Sequence, residues 1–232
     1  MCGRFVLHCT LDEIQDEFGF EEVQGTFEPS FNIAPGQDVP AVLDDGKRKL
    51  MKMRWGLVPS WSKEPPGSIA RMINARAETL AVKPSFARLF KTRRCLIPAN
   101  GFYEWRTQAG RKFPVYIRLQ SDRLFAFAGL YDIWHSPQGA AVTSCTIITT
   151  EPNELLAPIH DRMPVILAKA GRDQWLASDP QGWPELLRPY PAAELVAYDV
   201  TPRVNSPKYN QAEAIKPIPQ KRNIDYGDIK DR

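Results

Sequence analysis

The 232-residue chain has no apolar run of 18 or more residues, and no basic segment followed by a long apolar stretch at its start. Membrane spans and a secretory leader are therefore not expected, and the reading is a cytoplasmic protein. No CxxC pair is present. The four cysteines (Cys2, Cys9, Cys95, Cys145) are scattered, which excludes both a zinc knuckle and a disulfide framework and predicts reduced thiols. A cluster of Cys2, His8 and Cys9 fits no zinc spacing and lacks a fourth partner, so no metal or other cofactor is expected. Internal repeats are absent too. At this length, with 43% hydrophobic residues, one domain with a sizeable core is the default.

What the chain does have is an uneven charge distribution. Between Lys47 and Arg118 stand 17 Lys and Arg against three acids (Glu64, Glu78, Glu104), a balance of +14 where the whole chain carries +3, which leaves −11 elsewhere. A block of like charge is usually a solvated face. Here it alternates with Trp55, Trp61, Phe86, Phe90, Phe102, Tyr103 and Trp105, a mixture suited to gripping phosphates and stacking on bases. Nucleic acid is favoured over the plain surface.

Local signals outline the elements. Cys2 to Leu7 reads as a strand, and Thr10 as the N-cap of a helix with Leu11, Ile14 and Phe18 on one face. Asp44-Asp45-Gly46 between two β-rich runs predicts a hairpin. Trp55 to Gly67 is a loop, Ser85 to Lys91 a short helix, and strands follow at 94–97, 102–106, 113–119, 124–131 and 144–150, with Gly110 in a tight turn. Pro152 suits the first turn of a helix ending before Pro158, and further helices are expected at 172–177 and near Ala192. Many short strands without a βαβ rhythm predict an α+β domain over 1–215, built on a central, mainly antiparallel, barrel-like sheet with short flanking helices. Residues 216–232 have too few apolar side chains to pack and read as a disordered tail.

Cys2 directly follows Met1, and a small second residue favours trimming of the methionine. A terminal cysteine then carries an amine and a thiol on adjacent carbons. The amine condenses with an aldehyde, and the thiol closes a thiazolidine ring; an α-amine, with a pKa of about 7.7 to 8.0, is a far better neutral-pH nucleophile than lysine. Glu104, between Tyr103 and Trp105, is either an outward-facing charge or a carboxylate in an apolar site with a raised pKa. His160 is either a local backbone cap or a functional base, and Asp161 and Arg162 are read as a possible structural ion pair. Cys95 and Cys145 read as buried thiols, His8 and His135 as surface residues.

Eight blocks carry a resemblance: MCGRF, NIAPG, RWGLVPSW, MINARAET, CLIPANGFYEW, TIITTEPN, IHDRMPVIL and VNSPK, in that order from the start to residue 208. Together they resemble the SRAP family, the SOS-response-associated peptidases understood as abasic-site processing proteins. The resemblance implies that Cys2 forms a thiazolidine crosslink with the ring-opened abasic sugar in single-stranded DNA, shielding the lesion, with lyase chemistry as a side branch. It implies that Asn74 orients the sugar, that Glu104 shuttles protons and that His160 assists ring opening. It further implies phosphate contacts for Arg4, Arg76 and Arg162 and base-stacking surfaces at Pro35, Trp61 and Trp105. The expected partner is abasic single-stranded DNA, bound by a monomer. Two other readings use the same features: a cysteine peptidase that removes Met1, and a non-catalytic single-strand-binding module.

Overall fold

The computed structural model describes residues 2–64, 72–177 and 182–218. Met1, the end of the predicted 55–67 loop and the tail beyond 218 lie outside these residues. In chain order the strands are β1 (Phe5–Leu7), β2 (Glu22–Gln24), β3 (Ser30–Ile33), β4 (Asp38–Asp44), β5 (Arg48–Trp55), β6 (Asn74–Arg76), β7 (Arg94–Ala99), β8 (Gly101–Gln108), β9 (Arg111–Leu119), β10 (Phe125–His135), β11 (Ala141–Thr150), β12 (Met163–Pro164), β13 (Ile166–Leu167) and β14 (Leu195–Asp199). The helices are α1 (Leu11–Phe18), α2 (Pro84–Thr92), α3 (Lys169–Leu176) and α4 (Trp183–Leu186).

Five strands close on themselves in the order β5, β4, β7, β10, β11, with the seam made by parallel pairing of Ser144 with Arg54 and Cys145 with Trp55. Closure leaves these strands without open edges. β6 and β12 attach to β11, β13 to β10, and β2 runs parallel to β5. A second, antiparallel sheet has the order β14-β9-β8-β1-β3. The expected α+β fold with a barrel-like sheet is what the structure has.

The period-2 alternation of the second sheet explains why it is buried on both faces. Phe5, Phe102, Val115 and Ile117 join the main core, whereas Val6, Tyr103 and Tyr116 form a smaller cluster with Val200, Val204 and Ala214. Gly101 is needed where this sheet is tightest: a Cβ there would overlap the Tyr116 ring and the Ile117 carbonyl. At the hairpin tip of β8 and β9, Ala109 and Gly110 both take positive φ (47° and 73°), the two-residue turn that Gly110 signalled.

Helix α1 follows its sequence signals closely. Thr10 and Glu13 form a reciprocal capping box, and Gly19 ends the helix in the left-handed conformation. Ile14 and Phe18 are buried, but Leu11 is 39% exposed. The Asp44-Asp45-Gly46 hairpin is present, with Asp44 opposite Arg48. The predicted helix after Pro152 is not: residues 154–159 form consecutive turns. Asn153 accounts for this, because its side chain accepts from the Leu156 N–H and donates to the Tyr190 carbonyl, pinning a turn in place of a helix start. The segment near Ala192 is a 3-10 turn, Ala192–Glu194. The Ile218 N–H donates to the Asp199 carbonyl, so the paired chain runs just past the expected boundary at 215.

Arg94 ties helices α2 and α3 to β7. Its guanidinium donates to the carbonyls of Trp175, Phe90 and Ala177 at 2.7, 2.9 and 2.7 Å, and its carbon lies 3.6 Å from the Trp183 ring centroid. These are the orphan carbonyls of helix ends. Arg94→Met is expected to lower the unfolding free energy by about 2–4 kcal/mol, since three buried acceptors lose a charged donor. Chemical denaturation should show a lower midpoint at unchanged slope; an unchanged midpoint would refute the role.

Candidate active site

The register of β1 against β8 positions the amino terminus. Phe5 pairs with Phe102, and the Tyr103 N–H donates to the Arg4 carbonyl. Continued antiparallel, that register carries Gly3 and Cys2 alongside Glu104 and Trp105. Among the described strands β8 has no other neighbour on that side past Tyr103, so the chain start occupies its edge. Cys2 is fully buried and Glu104 is 2% exposed.

Burial raises the pKa of both groups, and the Glu104 charge raises that of Cys2 further. Burial lifts Glu104 from its ordinary 4.5 to about 7, with the Asp161 charge adding to the effect. Burial, then the Glu104 charge, lifts the Cys2 thiol far above its usual range, and the Arg4 backbone N–H that it accepts offsets only part of this. Of the alternatives left open for Glu104, the structure selects the carboxyl in an apolar site.

The loop before β12 supplies His160. Its N–H donates to the Leu156 carbonyl, and β12 anchors the far end by pairing with Thr149 and Thr150. His160 Nδ1 lies 2.8 Å from the Asp161 carboxylate and 3.0 Å from the Arg162 N–H. One atom cannot serve both at once: it donates to Asp161 when protonated and accepts from Arg162 when bare. Burial lowers the imidazole pKa, favouring the neutral ring in which either tautomer is open. The suspected Asp161–Arg162 ion pair is not formed. Arg162 instead makes a two-pronged contact with Glu78, at 2.7 and 2.9 Å, and donates to the Thr149 carbonyl at 2.7 Å.

Asn74 enters through β6, which pairs in parallel with β11, Asn74 opposite Ile147 and Arg76 opposite Thr149. Spaced by two, Asn74 and Arg76 share a face of the strand. Asn74 Oδ1, Thr149 Oγ1 and Arg162 Nε are buried without a hydrogen-bond partner. Asn74 and Thr149 lie on this strand pair and Arg162 reaches it through the Thr149 carbonyl; such orphaned polar atoms are costly unless a ligand or water completes them.

Glu104, His160, Arg76, Trp105 and Arg162 line one cavity of about 660 Å³, within the range of small-ligand sites. Five of the residues singled out from sequence thus meet. Thr107, Lys112, Asp161 and Asn205 share its walls; Asp161 and Asn205 stood inside the quoted blocks without a role, and no local signal marked Thr107 or Lys112. Pro35, in a turn, and Trp61 lie outside its walls. Trp61 is 67% exposed on a tethered loop: Ser60 N–H donates to Asp132, and Trp134 Nε1–H to the Ser62 carbonyl. Arg4 is buried, with Nη1 donating to Asn32 and the Val204 carbonyl, both at 2.7 Å, so its charge is already spent on holding the C-terminal segment.

The basic, aromatic window is largely structural. Trp55, Phe86, Phe102 and Tyr103 are core residues. Arg88 and Arg93 pair with buried Asp132, Arg106 with Asp199, Arg118 with Asp122 and Arg48 with Asp173. Of the seven aromatics in the alternation, Trp61 is the one strongly exposed.

A raised carboxylic pKa makes the folded state bind its proton more tightly than the unfolded state, so the stability from Glu104 is complete below about pH 4.5 and is lost as pH rises to about 7. Glu104→Gln should remove that decline and unfold later than wild type at pH 8. Parallel stability curves for the two proteins from pH 4.5 to 8 would contradict the burial of the charge.

Residues 1–207 match the family described as SOS response associated peptidase (SRAP). The abasic site processing protein YoqW of Bacillus subtilis is 47% identical over 223 residues, covering 93% of this chain and 99% of that protein. The abasic site processing protein HMCES of Xenopus tropicalis is 30% identical over 263 residues, covering 94% and 78%. A crystal structure of a protein from Bacteroides thetaiotaomicron superposes with a TM-score of 0.85 at 25% identity, over 94% of this chain and all of that one. With this fold, this cavity and a match over nearly its whole length, the chain belongs to the SRAP family.

Proposed function

We propose that this protein processes abasic sites in single-stranded DNA, and that it does so by forming a covalent crosslink through the amino-terminal cysteine exposed by removal of Met1. The observation that carries this reading is a buried carboxyl with a pKa of about 7 beside Cys2. At neutral pH such a group is present in both acid and base forms.

The chemistry needs both. An abasic sugar is mostly a closed hemiacetal; ring opening removes the proton from its C1 hydroxyl and delivers one to the ring oxygen. The Cys2 amine adds to the aldehyde and water leaves, giving an imine. The thiol sulfur then adds to the imine carbon and its proton passes to nitrogen, closing a thiazolidine with a net loss of one water. Glu104 exchanges the protons, and His160 serves as a second relay, since changing the partner at Nδ1 reverses whether Nε2 carries hydrogen. Asn74, with its unpartnered Oδ1, takes a sugar hydroxyl. β-Elimination from the imine is the accompanying lyase branch.

Cysteine hydrolases activate their nucleophile as a thiolate. Burial and the adjacent Glu104 instead hold the Cys2 thiol protonated in the chain carrying Met1, which counts against general peptidase turnover. A late-adding thiol has no need of thiolate character before the imine forms.

Incubation with an abasic single-stranded oligonucleotide is expected to give an adduct of mass equal to Met1-trimmed protein plus DNA minus one water. Cys2→Ala and a variant retaining Met1 should give none; an equal yield from either would sink the reading. Glu104→Gln is expected to slow adduct formation or release by about 10²- to 10⁴-fold, the usual range for a general acid–base group, while changing DNA affinity little, and to flatten the pH dependence near 7. Equal losses in rate and affinity would assign Glu104 to binding alone.

A further inference from the structure

We propose that the β8–β9 hairpin and Asn205 form a nucleotide subsite beside the lesion pocket, with Lys112 holding a backbone phosphate and Trp105 carrying the adjoining base or sugar. This rests on the abasic-DNA reading above, takes over the stacking expectation for Trp105, and adds Thr107, Lys112 and Asn205, to which the motif blocks give no role.

The register builds the subsite. Thr107 lies directly opposite Lys112, and Trp105 is two residues back along β8, so all three side chains project from one face of the hairpin. All three line the cavity. Trp105 Nε1–H donates to Asn205 Oδ1 at 2.8 Å. Because the indole nitrogen is a donor only, that bond fixes the amide orientation and turns Asn205 Nδ2–H₂ away from the indole as a free donor in the cavity wall. The ring is thereby held in place before any ligand arrives, as a stacking platform requires.

Charge points to a phosphate. Arg162 is occupied by Glu78, and on the hairpin itself Arg106 is occupied by Asp199. Among the described residues lining the cavity, the cations with no ion-pair partner are Arg76 and Lys112. They come from different sheets, Arg76 from the strand beside the barrel seam and Lys112 from β9, and so reach the cavity from different walls. Lys112 is also near enough to His160 for its charge to assist burial in keeping the imidazole neutral. A strand whose abasic sugar lies at Glu104 and His160 presents a phosphate on each side, and two uncommitted cations on separate walls match that pattern. Thr107 and Asn205 add uncharged donors of the kind that fix register on a backbone.

The test is salt-dependent binding of a single-stranded oligonucleotide bearing a tetrahydrofuran abasic analogue, which has no aldehyde and cannot crosslink. For Lys112→Ala, fluorescence anisotropy should show affinity reduced on the order of threefold near 0.1 M salt, and a log–log salt slope shallower by about 0.7, one phosphate contact on a single strand. Lys112→Arg should restore both. Asn205→Ala should weaken binding without changing the slope, since no charge is removed. Arg111→Ala, an exposed neighbour outside the cavity walls, should match wild type. A wild-type slope and affinity for Lys112→Ala, or an equal change for Arg111→Ala, would overturn the subsite. Absence of an adduct between wild type and true abasic DNA would instead overturn the parent reading, an outcome that this binding assay does not depend on.

Discussion

The site depends on one mismatch of strand lengths: β8 runs from Gly101 to Gln108, whereas its neighbour β1 begins at Phe5, opposite Phe102. Cys2 and Gly3 therefore lie along a strand edge that has no other partner there among the described strands. Glu104 is two residues beyond Phe102, on the face that looks into the main core, and so its carboxyl is buried next to Cys2. Moving β1 by one residue against β8 would turn Phe5 out of the main core and shift Cys2 along the strand away from Glu104. The raised Glu104 pKa and the protonated thiol both follow from that pairing.

Barrel closure supplies the second half. The seam between β5 and β11 is parallel, and β6 continues the parallel pairing further along β11. Thr149 then lies between Arg76 on one side and the Arg162 contact on the other. Of three unlinked stretches, 74–76 and 104–105 are held by backbone ladders, and 160–162 by the adjoining β12 and by the Arg162 side chain. The candidate site groups are thus placed largely by rigid elements, and the orphaned atoms of Asn74, Thr149 and Arg162 mark where the fold leaves polar capacity open.

Much of the fold was legible because its signals are local. The Thr10 capping box, the Gly110 turn and the Asp-Gly hairpin are chemical requirements of short segments, and each appears where expected. The helix after Pro152 failed because a tertiary contact, Asn153 to the Tyr190 carbonyl, won over propensity. The charge pattern was misleading in detail: composition counts a guanidinium as free, but Arg88, Arg93, Arg94 and Arg106 are committed to buried Asp132, helix-end carbonyls and Asp199. Asn74, Glu104 and His160 were singled out by the motif blocks, and the structure brings Glu104 and His160 to one cavity. Lys112 was not, because its place in that cavity follows from a cross-strand register that no local signal marks.

That contrast bears on how the cavity handles a polyanion. Arg162 is a strong candidate for phosphate binding when read from sequence, yet each terminal nitrogen already donates to Glu78, and one also donates to the Thr149 carbonyl. A phosphate arriving there must displace a carboxylate whose pKa Arg162 holds low by direct hydrogen bonding. Separating a two-pronged, charge-assisted contact costs more than filling an open donor. Arg162 therefore fits better as the strut that holds the His160 loop against β11 and the Glu78 turn, whereas two cations of the cavity have no such partner to give up. Arg76 and Lys112 are those cations among the described residues of the cavity. The basic content of the chain is thus divided: part of it fastens the scaffold, and Arg76 and Lys112 stand in the cavity wall without an ion-pair partner among the described residues.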